Sequence, residues 1–393
     1  MDGMRTWLGV TSLAVGIFVL ITVEELPIGV LSVMAPDLGV SEGVAGLAVT
    51  VPGVLAALVA MSTPLLVRGL DRRLVLIIAL LSVVISCALS IIAPSFGWLL
   101  LARLFAGVSI GLYWAVLPIV AMGQVEPHRV PAALTLAFSG TGGALVLGVP
   151  TAAWIGSHVG WRASFAVVGA VAALVAAAIL LLVRPVHSRQ AVTPSMMRTA
   201  LTTRAVRYVL AFTGLGVVGQ FATYSYVSPL LVQRAQVPLR DLGLLLLLYG
   251  IAGLIGNFAV GPLIRRSAPL AVLVVIGGTL AALLAVLVLV HSPGAAMIVM
   301  PLWGLCVGAV SVSVQAFITA EAPEVLEEGT ALNSAMFNVS IAVGALIGGL
   351  VLDAAGMEPM VLTSVVLLAA AVALALRYLR RPAPHGAAEL PAG

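Results

Sequence analysis

The sequence predicts an all-α integral membrane protein whose twelve transmembrane helices form two pseudo-symmetric six-helix bundles, and three observations point there. Of its 393 residues, 62% are apolar and 9% charged, with a mean hydropathy of +1.20. A water-soluble fold of that size needs far more polar surface to cover its exterior. The apolar residues also fall in windows of roughly 20 or more, the length that crosses a ~30 Å hydrocarbon core, which leaves little chain for a soluble domain. Finally, local patterns recur about half a chain apart.

Windows broken by Pro, Gly and charge place the first helices at 8–33, 43–67, 74–93, 97–121, 131–155 and 163–183. A second set follows at 208–232, 242–264, 269–290, 295–319, 330–352 and 359–379. The segment after Arg5 has the apolar character of a secretory signal, but it runs to about Val33 and is followed by many similar spans. It therefore reads as a retained first helix. The longest polar stretch, Arg184 to Arg207, separates six spans from six. The expected organisation is an N-terminal bundle over 1–184, a cytoplasmic linker over 185–207, a C-terminal bundle over 208–381 and a flexible cytoplasmic tail over 382–393.

The halves read as a duplication. GVSIG at Gly107 recurs as GLCVG at Gly304, a shift of 197, and TPLLVR at Thr63 recurs as GPLIRR at Gly261, a shift of 198. Gly16 and Pro27 match Gly219 and Pro229 at shifts of 203 and 202. Paired repeats around a midplane site are how many secondary transporters are built.

The formal net charge of +4 suggests an acidic partner such as nucleic acid only until the charges are placed. Every basic residue is Arg, and 15 of the 19 fall on the side that carries both termini, so the pattern is an orientation signal that puts the termini in the cytoplasm. Arg162, Arg234 and Arg240 are left for the opposite loops and Arg103 for a span. The expected setting is the cell (inner or plasma) membrane, with the lipid bilayer as environment and no nucleic acid.

Ionisable groups inside hydrocarbon are costly and mark function. The spans hold Glu24 and Glu25 in the first, Arg103 in the fourth and Asp353 near the end of the eleventh. Glu24 lies roughly 14 Å, and Arg103 roughly 9 Å, from the outer ends of their helices at 1.5 Å per residue. A carboxylate and a guanidinium facing one cavity stabilise each other's charge, and protonation of the acid breaks that balance. Adjacent helical residues point about 100° apart, so one of the two acids is expected in the cavity, and Glu24 is favoured. A bend-anchoring role beside Pro27 is the alternative for the pair, bonding of helix-end carbonyls the alternative for Arg103, and Asp353 reads as interfacial. A mostly apolar solute pocket with a few orienting groups is expected from Tyr113, Trp114, Gln220, Tyr224, Tyr226, Gln315, Asn333 and Asn338, with Asn257 beside them. Each of these side chains also suits bonding to a neighbouring helix. Small residues at Gly140, Gly143 and Gly148 before Pro150, and at Gly344, Gly348 and Gly349, permit close helix approach and bending.

Cys87 and Cys306 lack the spacing of a metal site or disulfide framework and read as packing residues. None of the histidines is expected within a span, so no histidine relay is indicated. No metal or cofactor is expected.

These features resemble the major facilitator superfamily, and within it the twelve-span drug and proton antiporters of the arabinose-efflux-permease (sugar/drug efflux) type, over nearly the whole chain. The stretches that carry the resemblance are EELPIGVLSVMAPDLGVSEGVAGLAVT, LLLARLFAGVSIG, LVLGVPTAAWIGSHVGWRASF and ALNSAMFNVSIAVGALIGGLVLD. The resemblance implies that Arg103 is the family's fourth-helix arginine associated with proton coupling, and Glu24 its first-helix acid. It implies that Gly148 and Pro150 stand for the fifth-helix antiporter motif, with a valine between them here. The loop between spans two and three departs from the family pattern: Val67 stands where an aspartate latch is expected and Asp71 comes four residues later, although Arg68, Arg72 and Arg73 keep the basic cluster.

The expected function is proton-coupled efflux of a small organic solute (drug, sugar or metabolite) by alternating access, with a monomer as the working unit and no enzymatic activity. Import or uniport of a nutrient by the same fold is the alternative. A membrane enzyme or sensor needs a catalytic cluster or soluble domain that the sequence does not display.

Overall fold

A computed structural model describes residues 2–67, 70–186 and 194–380. Twelve helices among them are long and apolar enough to cross a membrane. In chain order they are α1 (Met4–Asp37), α2 (Glu42–Ala60), α3 (Arg72–Ile91), α4 (Phe96–Gly123), α5 (Pro127–His158) and α6 (Trp161–Leu182), then α7 (Arg204–Tyr224), α8 (Leu239–Arg266), α9 (Ala268–Leu289), α10 (Pro293–Glu321), α11 (Glu328–Ala355) and α12 (Met357–Leu379). An even number of spans puts the ends of α1 and α12 that carry the termini on one side, called here the terminal end. A short helix, Pro194–Thr202, falls in the linker and packs on α7 and α11. The tail expected at 382–393 lies outside the described residues.

The helix starts are set by local chemistry, and they repeat. Ser41, Asp71, Ser95, Ser267 and Ser292 accept hydrogen bonds from backbone N–H groups two or three residues on, satisfying donors that the first turn leaves free. Asp71 and Ser267 are 196 apart and cap α3 and α9, while Ser95 and Ser292 are 197 apart and cap α4 and α10. The turns into α6 and α12 rest on Gly160 (φ +112°) and Gly356 (φ +92°), conformations that side chains with a Cβ resist.

Packing repeats as well. In each half the fourth helix lies against the second through a pair of glycines: a Cβ at Gly107 would sit 2.7 Å from the Pro52 carbonyl oxygen, and one at Gly304 2.1 Å from that of Tyr249. Likewise Gly140 brings α5 onto α1 at Ala14, and Gly348 brings α11 onto α7 at Ala222. With no hydrophobic force between helices in lipid, such small-residue seams are what allow van der Waals association. Substituting Gly304→Ala or Gly348→Ala drives a methyl into a backbone carbonyl and is expected to destabilise by about 2 kcal/mol. Gly277→Ala, where nothing lies within 4 Å, is expected to leave the melting temperature in detergent unchanged.

Three elements differ from expectation. Helix α1 extends to Asp37, beyond the apolar window; it packs against α2, α5, α6 and the turn after α7, and the exposed Asp37 is held by Trp161 and Arg162 of α6. In α5 a single π-turn, Ala144–Gly148, precedes Pro150, which has no N–H to continue the ladder. The seventh span, expected as one helix over 208–232, stops at Tyr224; a short turn follows at Val227–Pro229 and a π-turn at Leu230–Arg234. Pro229 removes the donor that would have bonded Ser225 O, and the chain leaves the helix there. His128 and His158, expected outside the spans, are exposed residues at the two ends of α5. Cys87 and Cys306 are free thiols packed against Gly169 and Gly278.

The halves meet along α2 with α11, α5 with α8, and α1 with the turn after α7.

Candidate functional site

Proline builds the centre of the first half. Pro27 in α1 has no N–H for the carbonyl of Val23, and Pro52 in α2 has none for that of Ala48. Arg103, fully buried on α4, serves both: Nη1 donates to Val23 O at 2.8 Å and Nε donates to Ala48 O at 2.9 Å. Its Nη2 donates to Glu24 O at 3.1 Å. A guanidinium presents its donors in a rigid planar fork, so one side chain holds two bent helices together at their weakest points. The second half carries Met300 at the position 197 residues on, and there the first helix breaks. The carbonyls bonded by Arg103 are thus mid-helix ones, not helix ends.

The two acids beside this junction face different ways. Glu24 is buried and interacts electrostatically with Arg103, inside the first half. Glu25, one residue and about 100° further round the helix, is partly exposed, interacts electrostatically with Tyr224 of α7 and Tyr249 of α8, and keeps a buried, unpartnered Oε2. The sequence reading favoured Glu24 for the cavity between the halves; the structure turns Glu25 that way, because the phase of α1 is set by packing Glu24 toward Arg103.

Opposite Glu25 stands an aromatic wall. Tyr224 and Tyr249 stack with centroids 5.1 Å apart, and Trp303 of α10 meets both edge-on. Gln220 ties the wall together, accepting from Trp303 Nε1 at 2.8 Å and donating through Nε2 to the Tyr249 hydroxyl at 3.1 Å. Sequence reasoning found Gln220 and Tyr224 but missed Tyr249 and Trp303, each of which stands among apolar residues in a span. A separate small cavity lies inside the second half, lined by Phe212, Thr213, Val217, Phe221, Val314 and Phe337 with Gln220 at its edge.

Above this level the cleft is sealed at the end opposite the termini. Ser41 Oγ donates to Asp353 Oδ2 at 2.5 Å, Gly43 N donates to Asp353 Oδ1 at 3.1 Å, and Gln233 Nε2 donates to Glu42 at 2.7 Å. Ser32 and Ser228 share a hydrogen bond of 2.7 Å. Tyr226, buried, donates to Ala345 O at 2.6 Å and lies 3.4 Å from Gly43 O, in a slot that a Cβ at Gly46 would close. Pro150 packs beside Gly243 of α8 in the same seal. Gly148 lets α5 cross α1 at Thr22, whose Oγ1 would sit 2.0 Å from an added Cβ. Asp353, read from the sequence as merely interfacial, is therefore a latch between halves. Removing it with Asp353→Ala is expected to raise the population open at this end by about tenfold or more, the worth of one charge-assisted hydrogen bond. Spin labels at Val44 and Leu350, both exposed, will report that as a longer distance.

The remaining expected residues scatter. Tyr113 is fully buried and donates to Leu13 O at 2.9 Å, a strut from α4 to α1 rather than a pocket group. Tyr226 likewise belongs to the seal, not to a pocket. Trp114 is half-buried against Phe138 of α5, and Asn257 is partly exposed on α8. Gln315 donates to Thr330, Asn333 accepts from Thr213, and Asn338 donates to Ser334 O, all partly exposed in α10 and α11. Arg72 donates to Val67 O, and Arg73 pairs with Asp71, whose carboxylate also accepts from Val186 N at 3.0 Å. That cluster ties the α2–α3 turn to the segment after α6 within one half. Arg68 lies outside the described residues. Among the described residues no group of His, Cys, Asp and Glu is placed to hold a metal.

Similarity to known proteins runs the length of the chain. It is 31% identical over 382 residues, 93% of each chain, to the purine ribonucleoside efflux pump NepI of Escherichia coli K12 and equally to that of Shigella flexneri. Among solved structures it is similar to a variant of the nucleoside transporter NupG (TM-score 0.77, 12% identity, covering 95% of this chain and 99% of that one). It is also similar to a bacterial homologue of the human lysosomal transporter Spinster (TM-score 0.75, 16% identity, covering 97% and 99%). The structural likenesses carry the fold, and the family and its efflux-pump relatives mark a transporter rather than an enzyme. With residues 13–327 matching the family as well, the twelve spans and the two halves that meet along them belong to one lineage: the chain is a multi-pass membrane protein of the Major Facilitator Superfamily.

Proposed function

We propose that this transporter exports a small organic solute of the purine nucleoside kind in exchange for protons, with Glu25 as the coupling acid. The observation that carries the reading is Glu25 itself: a carboxyl with a partnerless oxygen, facing Tyr224 and Tyr249 of the other half, on the terminal-end side of the seal. Arg103 holds the bent segment of α1 in place and offsets the charge of Glu24, so these two frame the coupling acid without themselves exchanging the proton. A carboxylate enclosed between the halves needs a polar partner or a bound solute, and a bound proton removes that need.

The arginine asymmetry supports cytoplasmic termini in the cell membrane, which makes the terminal end the cytoplasmic entrance and the sealed end the exit. The relatives that carry the name purine ribonucleoside efflux pump support both the solute class and the direction. Trp114, Gln315, Asn333 and Asn338, partly exposed on the terminal-end side of the seal, supply the amphipathic groups that such a solute meets on entry. One chain contains both halves, and the monomer is the working unit.

The test is transport by the purified protein in liposomes with an imposed pH gradient, offering a labelled purine ribonucleoside, a pyrimidine ribonucleoside and a hexose in turn. The purine ribonucleoside is expected to saturate and to move against the proton gradient. Movement of the hexose alone, or accumulation in the same direction as protons, overturns the reading.

A further inference from the structure

The aromatic wall has a fixed sense of hydrogen bonding, which runs from Trp303 through Gln220 to Tyr249. An indole nitrogen only donates, so Trp303 Nε1 fixes which end of the Gln220 amide it meets: the oxygen, at 2.8 Å. The Gln220 NH2 is thereby turned to Tyr249, whose hydroxyl oxygen accepts at 3.1 Å. A tyrosine hydroxyl has one hydrogen, and with its oxygen occupied by Gln220 that hydrogen is left to donate elsewhere. Tyr224 stacked on the ring holds its plane, and all four residues are buried.

The facing groups are few. On its own helix Glu25 has Glu24 beside it; from α7 it is faced by Tyr224 and from α8 by Tyr249, and Arg103 of α4 bonds backbone carbonyls of the same stretch of α1 and acts electrostatically on Glu24. Among the described residues the Tyr224 hydroxyl makes no hydrogen bond that would set its direction, whereas Tyr249 is oriented by two residues in series.

We infer that Tyr249 is a positioning residue, poised by Gln220 and Trp303 to donate its hydroxyl hydrogen to Oε2 of Glu25, which has no partner in this structure, when the two halves draw together at this level. This deepens, and rests on, the reading of Glu25 as the coupling acid. The donor favours the carboxylate, and it belongs to the other half, so it is present only while the halves are close at this level. The second half thus sets the proton affinity of an acid in the first, and parting the halves changes that affinity without any movement of Glu25 on its own helix.

The test is an infrared titration of the protein in detergent, following the carboxylic C=O band that Glu25→Gln removes. This readout needs no transport, so an inactive variant remains informative. Tyr249→Phe keeps the ring and its stacking but removes the donor, and is expected to move the midpoint of that band up by about one pH unit. Trp303→Phe leaves Tyr249 in place but frees the Gln220 amide to turn, and a smaller shift in the same direction is expected. A midpoint that stays put or falls in Tyr249→Phe overturns the inference while leaving Glu25 as the coupling acid. If the wild-type protein has no titrating band that Glu25→Gln removes, the coupling reading falls and this inference with it.

Discussion

Glu25→Gln is expected to abolish concentrative transport while leaving solute exchange intact. With one proton exchanged per solute, a gradient of one pH unit is worth about 1.4 kcal/mol and sustains about a tenfold solute ratio across the membrane. The amide has the shape of the protonated acid but takes up no proton, so the variant cannot use the gradient and the ratio falls to one. Exchange of labelled for unlabelled solute needs only alternation of the loaded protein and is expected to persist. Glu24→Gln separates the two acids: it keeps a gradient-dependent ratio, because Glu24 faces Arg103 and not the cleft. A tenfold ratio surviving in Glu25→Gln and lost in Glu24→Gln reverses the assignment.

The largest loss of stability is expected at Arg103. Arg103→Ala strands the carbonyls of Val23 and Ala48, which have no backbone donor to fall back on because Pro27 and Pro52 stand four residues on. A buried acceptor left unpaired costs about 1–3 kcal/mol, and removing the charge leaves Glu24 without its electrostatic partner, so a total on the order of 3–5 kcal/mol is expected. Thermal unfolding in detergent measures it. Arg103→Lys recovers only part, since an ammonium lacks the planar fork that spans α1 and α2. A cycle with Pro27→Ala and Pro52→Ala gives the mechanism: restored N–H groups serve the two carbonyls, and the cost of Arg103→Ala shrinks in that background. An equal cost in both backgrounds rules out the proline explanation.

The parts of this architecture written in local chemistry were legible in the sequence. Apolar windows and their breakers located all twelve spans, and the matched glycines at Gly107 and Gly304 turned out to be matched packing sites as well. Arg103 stood out as a charge in an apolar helix, and Pro27 near Glu24 marked a bend. What the sequence withheld depends on rotation of one helix against another. Glu24 and Glu25 are chemically identical neighbours, and only the packing of α1 against α4 decides which looks across the cleft. Pro52 gained meaning only once Arg103 was seen beside Ala48. Asp353 sits where a boundary residue is unremarked, until Ser41 and Gly43 come to it from more than 300 residues away. Tyr113 and Tyr226 have the chemistry of pocket residues, but both hydroxyls are spent on backbone carbonyls. Tyr249 and Trp303 were hidden because an aromatic residue in an apolar span carries no signal until Gln220 links them.

The most direct test of the central claim is proton movement itself. Liposomes containing the protein and an internal pH indicator, with no gradient imposed, are given a purine ribonucleoside on one side. The account predicts that the solute entering the vesicles drives protons out of them, so the interior becomes more alkaline, and that Glu25→Gln gives no such change while still exchanging labelled solute. Solute entry with a flat indicator trace in the wild-type protein, or with acidification of the interior, contradicts it.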